Sequence, residues 1–230
     1  MALVDQERGA LTHGPVARPP PDGAFQRKDA ILSAACSHFG RYGFRGASLR
    51  DIARDAGVSL TLLNHHFDNK AGLLSAVIEA HRPMLRRRAL AIRQLRSNGL
   101  GAFEPADLVR TWITIVLETA VERDGRRFLR LLGALRADAS EEALAVRGRL
   151  KEGAEAFIDA LQHCYPDSSR RAATSAYLCA DAAILDVVTN DALLADSPKA
   201  LPLEAGVDDR AWLERFLVAG IDAALSRQGA

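Results

Sequence analysis

The chain has 230 residues, enough for a small domain fused to a larger one. Its 30 basic and 29 acidic side chains nearly cancel, so a nucleic-acid partner must be sought in local patterning rather than in net charge. Three cysteines without C-x-x-C spacing, Cys36, Cys164 and Cys179, speak against a disulfide framework or a zinc cluster and suit a reducing cytoplasm.

Gly14, Pro15, Pro19, Pro20, Pro21 and Gly23 make residues 1–23 a flexible tail by composition. No basic start is followed by an apolar core, and no run approaches the roughly 20 apolar residues of a membrane span, so the expectation is a soluble, cytoplasmic protein without a membrane partner. From residue 24 onward apolar side chains recur three and four apart, which predicts an all-α chain of about nine helices. The first spans Phe25 to Tyr42, where Gly43 supplies a left-handed stop. The second starts at Ser48, with Asp51 in a capping-box-like relation, and stops at Gly57. Ser59 caps the third, whose Leu62, Leu63 and Phe67 point inward. Asp68 or Asn69 caps the fourth, which runs from Lys70 to Arg96, is kinked or interrupted at Pro83, and closes at Asn98 and Gly99. Further helices are expected over Pro105 to Arg123, Arg126 to Ala137, Glu141 to Tyr165, Ser168 to Asn190 and Asp208 to Ser226. A loop with Pro198, Pro202 and Gly206 precedes the last.

The stretch SLRDIARDAGVSLTLLNHHFDNK, residues 48–70, has the spacing of a helix-turn-helix. Ala53 is small where two helices touch, Gly57 turns the corner, and Ile52, Ala56, Val58 and Leu63 lock the second helix onto the first. What remains outward suits a major groove. Arg50 can donate twice to guanine, Asn64 can pair with adenine or a phosphate, and Thr61 can meet a thymine methyl. Ser59, Leu60 and His65 share the surface, and Lys70 with the N-terminus of the fourth helix can hold a phosphate.

Residues 27–74, RKDAILSAACSHFGRYGFRGASLRDIARDAGVSLTLLNHHFDNKAGLL, resemble the DNA-binding domain of the TetR (tetracycline-repressor-like) family of bacterial transcriptional regulators. The matching landmarks include Ile31, Phe39, Gly43, Ser48, Ile52, Ala53, Gly57, Val58, Ser59, Leu63, His66, Phe67, Lys70 and Leu74. Thr61 stands where the family has a glycine-like position, and Asn64 where it has a phosphate-binding tyrosine. The resemblance implies a three-helix DNA-binding domain over residues 24–72, joined by a long helix to an effector-binding and dimerisation domain over residues 73–230. It further implies a homodimer on double-stranded palindromic operator DNA, released by a small hydrophobic effector, and nucleoid-associated when bound. Trp112, Thr119, Phe128, Tyr177 and Asp181 are the candidate effector contacts. The alternative is a small-molecule-binding or scaffolding protein of the same fold that has lost operator binding.

In the last predicted helix, Trp212, Phe216, Ala219, Gly220 and Ala223 share one side, and Leu213, Leu217, Ile221 and Leu225 line another. One surface can face its own domain while the other needs a partner. Ala176, Ala180, Ala183 and Val187 in the preceding helix are small enough for close approach, which gives an isologous four-helix contact. The neighbours His65 and His66 point about 100° apart on a helix and cannot share a metal alone, and His66 is read as packed or capping. No phosphate loop, H-E-x-x-H or G-x-S-x-G pattern occurs, so neither an enzyme nor a cofactor is expected. Arg82, Arg86, Arg87, Arg88, Arg93 and Arg96 circle one helix and are expected to pair with acids elsewhere.

Overall fold

The computed structural model describes residues 22–97, 103–189 and 207–226, which form eleven α-helices and no strand. Of the expected features, the tail over residues 1–21, the Asn98–Gly99 stop and the loop with Pro198, Pro202 and Gly206 lie outside the described residues.

α1 (Asp22–Gly46) begins within the stretch expected as tail and leaves helical geometry at Gly43, φ 69°, where the sequence places its stop. α2 (Leu49–Asp55) is capped by the Ser48 side chain, which accepts from the Asp51 N–H. α3 (Leu60–Phe67) is capped by Ser59, which accepts from the Leu62 N–H at 3.1 Å. Between them Gly57 adopts φ 67°, so the corner is turned without a side-chain penalty. Ile52, Ala53, Leu63 and Phe67 are buried in one core with Ile31, Ala35 and Phe39 of α1.

The single long fourth helix is in fact two, α4 (Lys70–Ala80) and α5 (Arg82–Ser97), divided at His81. Pro83 is the second residue of α5, where its missing N–H leaves no bond unmade, whereas within a continuous helix its ring would meet the carbonyl four residues back. α6 (Pro105–Val121) starts with the Asp107 carboxylate accepting from the Glu104 N–H at 3.1 Å. α7 (Arg123–Ala137) follows almost at once. The helix expected over Glu141 to Tyr165 is also two, α8 (Glu141–Arg149) and α9 (Lys151–Cys164). The Leu150 N–H bonds the Arg147 carbonyl at 3.0 Å, a tightened last turn that ends α8.

α10 (Arg170–Thr189) carries an 18-residue window of mean hydropathy 1.3, so by length and composition it could cross a membrane. This corrects the expectation that no run comes close. Its apolarity has another cause, because it packs against α6, α7, α9 and α11 (Val207–Leu225) and holds a buried, ion-paired Asp181 at its centre. It is the central helix of the C-terminal bundle.

α1 makes its most extensive packing not with its own three-helix unit but with α7. The backbones approach so closely that a β-carbon on Gly40 would lie 3.1 Å from the Leu131 nitrogen. Ser33 of α1 donates to Asp124 at 2.9 Å and accepts from Arg127 at 2.7 Å. The boundary expected near residue 72 is therefore not marked by a gap in the packing.

Candidate DNA-reading head and effector bundle

The outer face of α3 follows from which residues the core claims. Leu63 and Phe67 are buried, so Thr61, Asn64 and His65 are exposed, with Ser59 and Arg50 exposed beside them and Leu60 half-buried. His66 is exposed as well, its ring edge-on to His65 at 5.8 Å; the packed reading does not hold, because Phe67 takes the inward position.

Lys70 is engaged within the head itself. Its Nζ donates to the carbonyls of Arg45 and Ala47, 3.1 Å each, and stands 4.8 Å from the centre of the Phe44 ring. It satisfies the carbonyls left over at the end of α1, as a cation at a helix C-terminus does, and two of its three donors are thereby taken. The α3–α4 turn is tight: Asp68 has φ 53° and ψ −54°, and the Asn69 N–H reaches back to the Phe67 carbonyl, a γ-turn of the rarer positive-φ form. The Asn69 side chain caps α4 by accepting from the Gly72 N–H at 2.9 Å. His38 of α1 and Asp55 of α2 pair at 2.7 Å, and that bond holds the Asp55 carboxyl below its ordinary range.

In the C-terminal bundle, Trp112, Phe157 and Tyr177 form a mutually tilted cluster with centroids 5.0, 5.5 and 5.8 Å apart. Arg88 of α5 lies over the Trp112 ring, 4.1 Å from its centroid, and its Nη2 is 3.5 Å from Asp181. Arg136 of α7 holds the other Asp181 oxygen at 3.1 Å and donates to the Leu178 carbonyl at 2.7 Å. Burial pushes the Asp181 carboxyl up despite both arginines, and likewise raises the Tyr177 hydroxyl. Three of the candidate effector residues, Trp112, Tyr177 and Asp181, are thus brought together. Thr119 and Phe128 are not part of that cluster. The Thr119 hydroxyl donates to the Ile115 carbonyl within α6. Phe128 is fully buried with its ring stacked on His81 at 4.0 Å and 2°, a packing role at the α4–α5 break.

Sequence reasoning missed Arg88 and Arg136. Arg88 was one arginine among six on α5, yet it is in phase with Ile92 four residues on, which is buried; that phase was the available signal. Its neighbours do pair outward, Arg82 with Glu79, Arg87 with Glu118 and Arg93 with Glu152. The cysteines are all free. Burial, with the Asp124 charge nearby, pushes the Cys36 thiol up to about 12, and burial takes Cys164 up to about 11.

α11 is sorted as its two apolar surfaces imply. Leu213, Leu217, Ile221 and Leu225 are buried, while Trp212 and Phe216 are 54% and 57% exposed and stack at 5.5 Å, with Ala219, Gly220 and Ala223 exposed alongside. On α10, Ala183 and Val187 are half-buried, but Ala176 and Ala180 are buried within the chain's own α10–α11 packing. Between these helices runs a groove of about 540 Å³, lined among others by Ala172, Cys179, Ala183, Phe216 and Gly220.

A three-helix head with an outward recognition helix, fixed to an α-helical bundle, defines a helix-turn-helix transcriptional regulator. The profile described as "Bacterial regulatory proteins, tetR family" matches residues 31–77, and "Tetracyclin repressor-like, C-terminal domain" matches residues 110–220. The chain belongs to the TetR family. It is 33% identical over 155 residues to the HTH-type transcriptional regulator BetI of Agrobacterium fabrum, spanning 59% of this chain and 74% of that one. To RutR of Escherichia coli K12 it is 32% identical over 149 residues, 58% and 66% of the two chains. These relatives are regulators, not enzymes. Among solved structures, NalD of Pseudomonas aeruginosa matches with a TM-score of 0.57 at 24% identity, over 86% of this chain and 96% of that one. GusR of Salmonella enterica matches at 0.55 and 15%, over 90% and 98%.

Proposed function

We propose that the protein is a homodimeric repressor that binds a palindromic operator and is released from it by a small ligand with an apolar body. The observation that carries the reading is the division of α3. Its buried Leu63 and Phe67 fix the helix to the head, and Thr61, Asn64 and His65 are left outward together with Arg50. A rigid helix presenting short polar side chains beside an arginine reads base edges in a major groove. Asn64 is too short to act as a tyrosine would on a distant phosphate, so its place is at a base edge or a close phosphate. With Lys70 occupied at α1, non-specific attraction falls to other cations of the head.

The second copy is expected on α10 and α11, where the exposed Trp212–Phe216 stack and the groove between the helices supply an apolar surface that an isologous contact would cover. Two heads must then sit one helical turn apart, roughly 34–36 Å, or a multiple of it. A ligand that enters the bundle beside Trp112 and Tyr177 would disturb α5 and α10, and α7 with them through Asp181 and Arg136. It would reach the head by two routes, across the His81 break and through the α1–α7 contact. Coupling of about 1–3 kcal/mol corresponds to some 5- to 150-fold in operator affinity, and operator DNA must weaken the ligand equally.

Selection of bound sequences from a random duplex pool, followed by mobility shifts with DNA upstream of the protein's own gene, tests this directly. The expected result is an enriched inverted repeat. A pool that enriches nothing would leave a ligand-binding or scaffolding protein of the same fold in its place.

A further inference from the structure

The charges around Asp181 do not balance. Arg88 is 5% exposed and Asp181 8% exposed, and Arg136 reaches the same carboxylate from α7. Two guanidinium groups thus face one carboxylate, and the partners are unequal. Arg136 makes a 3.1 Å contact to Asp181 and a 2.7 Å bond to the Leu178 carbonyl. Arg88 has a single contact to Asp181 at 3.5 Å, the outer limit of a hydrogen bond, and its buried Nε has no partner. Each Asp181 oxygen takes one guanidinium, so two positive charges share one negative, and of the two arginines Arg88 is the one that is buried and left short of partners. Removing a cation from water without a matched anion is costly, and a face-on contact with Trp112 offsets only part of that cost.

We propose that Arg88 is the recognition residue for an organic carboxylate, whose anionic end takes the Arg88 Nε and Nη donors while its apolar body lies against Trp112, Phe157 and Tyr177. The proposal rests on the effector reading above and gives that effector its chemical class. The guanidinium now covers the face of Trp112 that an apolar ligand body would occupy. Binding exchanges one contact for another: Arg88 leaves the ring for a bidentate ion pair, and the ring receives the ligand. A carboxylate fits the arginine fork in a plane, which an amide or ester of the same shape does not, since it brings no charge and loses one acceptor. Because Arg88 belongs to α5, its movement acts on the helix that follows directly from the reading head's α4.

The test uses the full-length protein carrying Trp212→Phe, so that Trp112 is the single tryptophan. Its fluorescence is titrated with benzoate, cinnamate, 4-phenylbutyrate and decanoate, and with the primary amide of each. At least one acid is expected to quench Trp112 with a Kd at least tenfold below that of its amide, and Arg88→Gln should erase the difference. Asp181→Asn removes the acidic competitor for Arg88 and should tighten the same acid several-fold, a gain that a damaged fold cannot imitate. Equal affinity of acid and amide, retention of the preference in Arg88→Gln, or no binding of any acid up to millimolar concentration overturns the proposal. Operator release is read separately by mobility shift. Amides that release operator while acids do not would refute the carboxylate and leave the effector reading intact. Acids that bind through Arg88 without altering operator affinity would do the reverse.

Discussion

The ammonium of Lys70 lies 3.1 Å from the carbonyl oxygens of both Arg45 and Ala47, so the first residue of α4 closes the end of α1. Lys70→Met should therefore lower stability by about 1 kcal/mol, the scale of a part-exposed hydrogen-bonding cation. The slope of log operator affinity against log salt should stay the same, whereas loss of one phosphate contact in each protomer would reduce it by about 1.8, at about 0.9 per contact. Thermal unfolding and mobility shifts at four salt concentrations check both halves. A reduced slope with unchanged stability would return Lys70 to the DNA.

The α3–α4 turn makes opposite demands on two positions. A β-carbon on Gly72 would sit 2.5 Å from the Phe67 carbonyl oxygen, so Gly72→Ala should cost about 1–3 kcal/mol through forced backbone displacement. Because the shift occurs at the end of the recognition helix, operator affinity should fall with it. Asp68 holds φ 53°, a conformation glycine adopts freely, so Asp68→Gly should cause no loss of stability. Denaturant melts of the two variants against wild type decide the matter.

His38 and Asp55 give the head an acid-sensitive pin. The His38 bond depresses the folded-state pKa of Asp55. Its stabilising contribution is therefore present above the unfolded carboxyl pKa of about 3.9 and is lost as pH falls through the lower folded value. Asp55→Asn should be less stable than wild type at pH 7, and the difference should shrink as pH approaches 3. A constant difference across that range would show that the bond does not depend on the Asp55 charge.

For the α10–α11 surface, charge belongs at Ala219 and Gly220, which are exposed, and not at Ala180, which is 3% exposed and would disrupt the subunit itself. Ala219→Asp combined with Gly220→Asp should sediment as a monomer with wild-type helicity. Cys179 lines the groove and is exposed in the single chain, while Cys36 is buried with its thiol held protonated. Alkylation of Cys179 should slow as protein concentration rises and the surface is covered. A rate independent of concentration, in both wild type and the double variant, would place the interface elsewhere.

The reading head was legible because its determinants are local. Ser48, Gly57, Ser59 and the spacing of Ile52 and Leu63 are all read within a few residues of one another, and caps and turns act at that range. The break at His81 was visible for the same reason, through Pro83 two residues on. The break at Leu150 was not, since the sequence around it carries no proline; it is made by a tightened turn in which the Leu150 N–H bonds the Arg147 carbonyl. The ion cluster was legible only in part. The four-residue spacing from Arg88 to Ile92 marks the arginine that turns inward, but Arg88 and Arg136 are 93 and 45 positions from Asp181, and no local pattern names the carboxylate they meet. The bonds of Lys70 were out of reach for a related reason: its partners, 23 and 25 residues earlier, are backbone carbonyls, which no side-chain pattern reveals.

The close approach of α1 to α7 at Gly40 bears on how such proteins can be rebuilt. Regulators of this architecture invite chimeras, in which the head of one is grafted onto the bundle of another to rewire which signal controls which promoter. Here a graft cut near residue 72 would divide a shared surface. A foreign α1 with any side chain in place of Gly40 would meet the Leu131 backbone, and one without a hydroxyl at position 33 would lose its bonds to the Arg127–Asp124 pair of α7. The transplantable unit is the head together with the matching face of α7, and a graft that ignores that face would leave two halves whose surfaces no longer fit.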